Sequence, residues 1–223
     1  ANVYAAFDED VRGWEGVSQA YFVDDFMNDD ILLEGIFVPP TFTALALPFV
    51  GAKHTAIMAK YRNLASIGCI VSDHGRGRVR RSIWGTPLMT YNLAREDAHR
   101  FGRAIATISR LWFAAGAREV YPAIAGLPVL KSESDVARLE SREVRPGDLE
   151  LIAFHPMGTA RMGLNPRAAV VDESMQAYGV EGLYVVDASV FPSSIRVNPQ
   201  ETIMAFATRA AETIDARFAR LGG

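Results

Sequence analysis

The run Ile67-Gly68-Cys69-Ile70-Val71-Ser72, then Asp73-His74-Gly75-Arg76-Gly77, then Arg78-Val79-Arg80-Arg81-Ser82-Ile83-Trp84 sets the fold class of this chain. Two stretches suited to pleated backbone flank a short loop with two glycines, which is the pattern of a β-hairpin. A hairpin pairs its strands antiparallel. Upstream, Val17 to Phe26 alternates roughly between apolar and polar residues, and Ile31 to Val38 reads as a strand ended by Pro39-Pro40. Thr55 to Ser66 carries a helical stripe of Ile57, Met58, Tyr61, Leu64 and Ala65. Downstream, Phe101, Ala104, Ile105, Ile108, Leu111 and Trp112 keep helical spacing across Ala94 to Ala115, and Gly116 stands where a C-terminal cap belongs. Strands and helices do not alternate strictly before residue 150. The expectation is therefore an α+β fold, with an antiparallel sheet backed by helices over residues 1–150.

From Leu151 the character changes. Short apolar stretches (Leu151 to Phe154, Ala168 to Val171, Leu183 to Val186) read as strands between loops rich in Gly, Pro, Asn and Ser. A last helix is expected from Pro199 to about Arg217, with Ile203, Phe206, Ala207, Ala210, Ile214 and Phe218 on one face. The charged segment 131–150, with Pro146-Gly147, reads as a helix or surface loop closing the first region, so the second region runs over 151–223.

Bulk properties remove several classes of function. The formal net charge of -3 gives no general attraction to polyanions, and Arg76, Arg78, Arg80 and Arg81 read as a solvated hairpin face, so nucleic acid is not an expected partner. A single cysteine, Cys69, excludes a disulfide framework and reads as a buried structural thiol. His54, His74, His99 and His155 show no metal-ligand spacing. No stretch approaches a membrane span. The first residues, Ala1 to Asp8, read as strand interior and not as a secretory signal, so a cytoplasmic protein is expected, and the missing initiator Met points to a cut inside a longer one. There is no Gly-x-Ser-x-Gly, and Ser189 does not sit in a nucleophile elbow, which sets a hydrolase aside.

Three segments invite a chemical reading: Phe154-His155-Pro156-Met157-Gly158-Thr159-Ala160-Arg161-Met162-Gly163, Val185-Val186-Asp187-Ala188-Ser189-Val190-Phe191-Pro192, and Arg196-Val197-Asn198-Pro199-Gln200-Glu201-Thr202-Ile203. Taken singly, each has a plain explanation. His155 can be a strand-end histidine bonded to backbone, or a general base, since imidazole titrates near neutrality. Asp187 can be a turn aspartate, or a carboxylate at a sheet edge where α/β folds hold cofactors. Asn198 suits an N-cap, Pro199 the first helical position and Glu201 the third. A helix start also favours an anion, including one that develops during a reaction.

In this order the three segments resemble the C-terminal signature of the glucose–methanol–choline (GMC) oxidoreductase family: His-Pro-x-Gly-Thr-x-x-Met-Gly, then Val-x-Gly-Leu-x-Val-x-Asp-x-Ser, then Asn-Pro before a final helix. The middle pattern is read here as Val180-Glu181-Gly182-Leu183-Tyr184-Val185-Val186-Asp187-Ala188-Ser189. The close match covers about residues 151–216; residues 1–150 fit the family's substrate domain more loosely. The resemblance implies an FAD-dependent oxidation of an alcohol. His155 then accepts the hydroxyl proton, Asn198 hydrogen-bonds the substrate oxygen, and Asp187, Ala188, Asn198, Pro199, Gln200 and Thr202 stand beside FAD. The family's dinucleotide-binding half is missing: no Gly-x-Gly-x-x-Gly follows a strand anywhere in the chain. The resemblance thus implies an N-terminal FAD-binding half as partner, no tight FAD binding by this chain alone, and self-association where that half would pack. The alternative reading is a non-catalytic domain that binds a ligand or partner on its sheet. Trp14, Phe22, Phe26, Met89, Phe154 and Met157 read either as an apolar substrate pocket or simply as core.

Overall fold

The computed structural model describes residues 1–221. In chain order the elements are β1 (Asn2–Ala6), β2 (Phe22–Val23), β3 (Ile31–Gly35), α1 (Pro40–Ala46), α2 (Gly51–Met58), β4 (Leu64–Val71), β5 (Arg76–Arg81), β6 (Pro87–Asn92), α3 (Arg95–Ala114), β7 (Glu119–Tyr121), α4 (Glu133–Glu140) and α5 (Gln200–Leu221). They fall into two compact units: Ala1–Arg76 with Asn92–Ile152, and Gly77–Tyr91 with Ala153–Gly223.

The first unit is an α+β layer pair. Its sheet runs β2-β3-β4-β1-β7, antiparallel throughout. Because side chains alternate across a strand, Val3, Ala5, Ile31, Leu33, Cys69 and Val71 share one face. Phe101, Ala104, Ile105 and Ile108 of α3 close that face into the main core, in which Cys69 is buried as expected. Tyr4, Leu64 and Tyr121 point the other way, toward Leu47 and the partly buried Ile57 and Met58. Helix α3 keeps nearly the bounds read from its periodicity, and Gly116 past its end takes φ 94°, the left-handed cap only glycine adopts freely.

Several expectations change. The stretch 67–84 is not one hairpin. Residues 67–71 belong to β4, which lies between β3 and β1, while β5 pairs with β6. The turn lies further on: Gly85 donates to the Ser82 carbonyl at φ 80°, and Ser82 donates to Thr86. The glycine loop is instead held by a distant group. Asp97, wholly buried in the first turn of α3, accepts the backbone N–H of His74 and of Gly75 and a bond from the Arg100 guanidinium. Of Val17 to Phe26, only Phe22–Val23 is strand. The helix expected over 55–66 runs Gly51–Met58, and Leu64 to Ser66 open β4.

From Leu151 on, residues 151–154, 168–171 and 183–186 are not strands. Only isolated bridges occur there, such as Val171↔Ala177 and Gln176↔Tyr184. Some of their apolar residues are buried by loops folding on one another: Val171 forms a core with Met175, Val190, Phe191 and Ala210 of α5, against which Val185 and Val186 pack, while Ile152, Phe154, Val170 and Leu183 stay exposed. No helix among the described residues is long and apolar enough to cross a membrane.

Candidate active site

All three chemical segments supply side chains to the second core. Met157 and Met162 come from the first segment, Val185, Val186, Ala188, Val190 and Phe191 from the second, and Ile203 from the third, with Phe206 following it. Backbone bonds stitch the first two together: Ala160 N–H donates to Ser189 O (2.9 Å) and Met162 N–H to Val190 O (2.8 Å). Gly158 sits at φ 82°, and a Cβ there would lie 3.2 Å from the Phe191 carbonyl oxygen. The glycine of His-Pro-Met-Gly is thus required by a turn that presses against the second segment. Phe191 meets Phe206 of α5 edge to face, with centroids 5.2 Å apart.

This packing places each expected residue. His155 is half-buried, three residues ahead of the Gly158 turn, and Asn198 is half-buried ahead of α5. Helix α5 starts one residue later than Asn198-as-cap implies. Its first helical bond runs from Ile203 N–H to the carbonyl of the buried Pro199 (2.8 Å), because the proline ring already holds the backbone in an entry conformation. By helix geometry the N–H groups of Gln200, Glu201 and Thr202 have no acceptor within the helix, so the end favours negative charge. Asp187 is exposed and caps a short 3-10 turn, accepting the Ser189 N–H at 2.7 Å, with half-buried Ala188 as the turn's first residue. The plain turn reading of Asp187 is therefore realised, and it leaves the carboxylate at the surface.

The six apolar pocket candidates divide between the two units. In the first, Trp14 stacks on Tyr61 (5.9 Å), Phe26 packs on the core and Phe22 is exposed; in the second, Met157 packs on the core and Met89 and Phe154 are exposed.

Two stabilising groups escaped the sequence reading. Asp172 accepts from the Ser174 hydroxyl and N–H and from the Gln176 N–H. Burial works against its charge, but these bonds and the nearby Arg217 hold its carboxyl below the usual range. The Asp-x-Ser spacing is the local signal for such a turn. Arg217 of α5 clasps Gln176, the Tyr184 hydroxyl (3.2 Å) and Glu181 (2.9 Å), and nothing local announces that contact.

Comparison with known proteins adds the following. Residues 73–207 match the family GMC oxidoreductase. An uncharacterised GMC-type oxidoreductase of Mycobacterium tuberculosis is 38% identical over 207 residues, which cover 92% of this chain and 33% of that protein. A long-chain-alcohol oxidase of Arabidopsis thaliana is 30% identical over 195 residues, covering 80% of this chain and 25% of that protein. The fold resembles that of an Aspergillus oryzae formate oxidase variant studied for FAD modification, with a TM-score of 0.56 at 21% identity over 86% of this chain and 32% of the oxidase. The chain thus spans about a third of the length of such relatives.

Proposed function

The chain belongs to the GMC oxidoreductase family, and from that premise we propose that it forms the base-bearing side of an FAD-dependent enzyme that oxidises an alcohol. One observation carries the reading: the three family segments share a single core, which places His155, Asp187 and Asn198 on one compact unit. The residues present fit one edge of a flavin. The α5 start offers N–H groups to a negatively charged edge, Asp187 offers an exposed carboxylate, and Ala188 adds no bulk. When bound, FAD supplies the hydride acceptor.

In this reading His155 takes the hydroxyl proton on an imidazole nitrogen. Asn198 donates its amide N–H to the substrate oxygen as negative charge builds there, which lowers the barrier more than it tightens ground-state binding. Pro199, Gln200 and Thr202 fix the helix start against the cofactor. The long-chain-alcohol oxidase among the relatives supports an alcohol as substrate class. The partner is an N-terminal flavin-binding half, in keeping with the share of the relatives that this chain spans, and the setting is cytoplasmic. Exposed Leu183, Val197 and Met204 give that half an apolar face, or promote self-association without it.

The test is co-expression of the chain with a flavin-binding half of a GMC relative, followed by anaerobic mixing with a panel of alcohols. The reading expects the flavin to bleach with at least one alcohol. A complex that holds flavin yet is bleached by none of them favours the non-catalytic alternative.

A further inference from the structure

Between Glu34 and Asp73 the chain contains no acidic residue, although 26 occur in the whole sequence. This acid-free stretch includes the antiparallel-packed face of β4 and the whole of the α1–α2 pair. The pair is firmly built. The His54 ring of α2 bonds to the Ala44 carbonyl of α1 at 2.8 Å, Tyr61 donates its hydroxyl to Val38 O just ahead of α1, and Leu47 between the helices is buried. Yet it presents large apolar side chains to solvent. Phe42 and Leu45, one helical turn apart on α1, are 53% and 78% exposed, and Val50 at the tip before α2 is 89% exposed. Lys53, on the first turn of α2, holds its ammonium 4.2 Å from the centre of the Phe49 ring, so its stem lies along this tip. Lys60 follows α2. Arg62 is already paired with Asp10 and is not counted as a free cation.

We propose that the α1–α2 tip docks on an anionic lipid surface, with Leu45, Val50 and Phe42 entering the headgroup boundary and Lys53 and Lys60 meeting the lipid phosphates. Three features favour a bilayer as the occupant. The prongs are small in number and stand on a rigid helical pair, as in peripheral anchors that bury only a shallow apolar face. On the pair itself the exposed charges without an ion-pair partner among the described residues, Lys53 and Lys60, are cationic, which complements an anionic surface and opposes a second copy of the same positive tip. No acid lies on the α1–α2 pair itself, which lessens at the tip the repulsion that a chain of net charge -3 meets at such a surface; Asp8, Glu9 and Asp10 approach the stretch at Arg62 and Asn63, past the end of α2. The inference is independent of the proposed reaction, because it concerns the first unit alone.

Vesicle flotation of the 223-residue chain tests it. One set of vesicles is phosphatidylcholine alone and the other contains three parts in ten of phosphatidylserine, both at low salt. The chain is expected to float with the anionic vesicles and to bind the neutral ones roughly thirtyfold more weakly, given two lysines at the surface. Leu45→Asp with Val50→Asp is expected to abolish flotation with an unchanged circular dichroism spectrum. Lys53→Glu with Lys60→Glu is expected to remove the preference for anionic lipid. Ile83→Asp, at an equally exposed site on the β5–β6 ribbon, serves as control and should float like the parent chain. The proposal is overturned if the parent chain stays in the soluble fraction, if Leu45→Asp with Val50→Asp floats unchanged, or if Ile83→Asp loses binding as fully. It is also overturned if light scattering shows a dimer that the same double variant dissociates, since the tip then covers a second copy.

Discussion

The two units solve the burial of apolar residues in opposite ways. In the first, β3, β4 and β1 are each paired on both sides, and one twenty-residue helix, α3, covers the face they present. In the second, apart from the β5–β6 ribbon, stretches rich in apolar residues run without ladders, and turns, single bridges and one long helix satisfy the backbone. A regular sheet spreads its stability over many equivalent bonds. An irregular unit concentrates it in particular residues, such as Gly158, Asp172 and Arg217, whose replacements are not interchangeable. The proposed chemistry is assigned to the irregular unit, whose loops bring the three segments onto one core.

Substitutions can sharpen this contrast. The largest expected effect is chemical: in the complex with a flavin-binding half, His155→Ala should slow flavin reduction by roughly 10²–10⁴-fold, read by anaerobic stopped-flow, while leaving the unfolding midpoint in place. An unchanged rate removes His155 from the mechanism. Next comes Ile105→Ala, at a wholly buried site under the sheet. It should cost about 3–4 kcal/mol of stability in urea unfolding, because the close-packed layer cannot collapse into the cavity. A cost below about 1 kcal/mol would mean that the first core is looser than its packing implies.

Gly158→Ala should follow, at about 1–2 kcal/mol, from the left-handed backbone and the contact with the Phe191 carbonyl. Native-state hydrogen exchange at the Met162 and Val190 amides reports it locally, and protection equal to that of the parent chain contradicts the role given to this turn. The smallest effect concerns pH. The folded Asp172 carboxyl lies below its unfolded value, so its contribution is fully present above about pH 4 and fades as pH falls through the folded value. Asp172→Asn should flatten that acid limb in the exchange of the Gln176 amide; a limb as steep as before places the dependence elsewhere.

Much of the first unit is legible in the sequence, because α3 carries its periodicity over five turns and its cap glycine marks the end. The error at 67–84 is instructive. Local pattern sees the glycines at 75 and 77 and reads a turn, but the loop before β5 is held by Asp97, some twenty residues away, and the actual turn follows Ser82. In the second unit, apolar runs such as Leu183 to Val186 look like strands, since composition reports burial and not whether a neighbouring strand exists to pair with. The candidate site was found by another route. Periodicity gave His155, Asp187 and Asn198 no distinction, and their order along the chain did. Gly158 and Arg217, which hold parts of the same unit together, act through a backbone angle and a long-range clasp, which a one-dimensional pattern does not carry.

The central claim is that this chain holds the base and only one side of a flavin site. Titration of the purified chain with FAD, followed by flavin fluorescence, tests it most directly, with the complemented complex as reference. The account predicts no saturable binding at submicromolar FAD for the chain alone and a tightly held flavin in the complex. Submicromolar binding by the chain alone, with the spectrum of a protein-bound flavin, would contradict it.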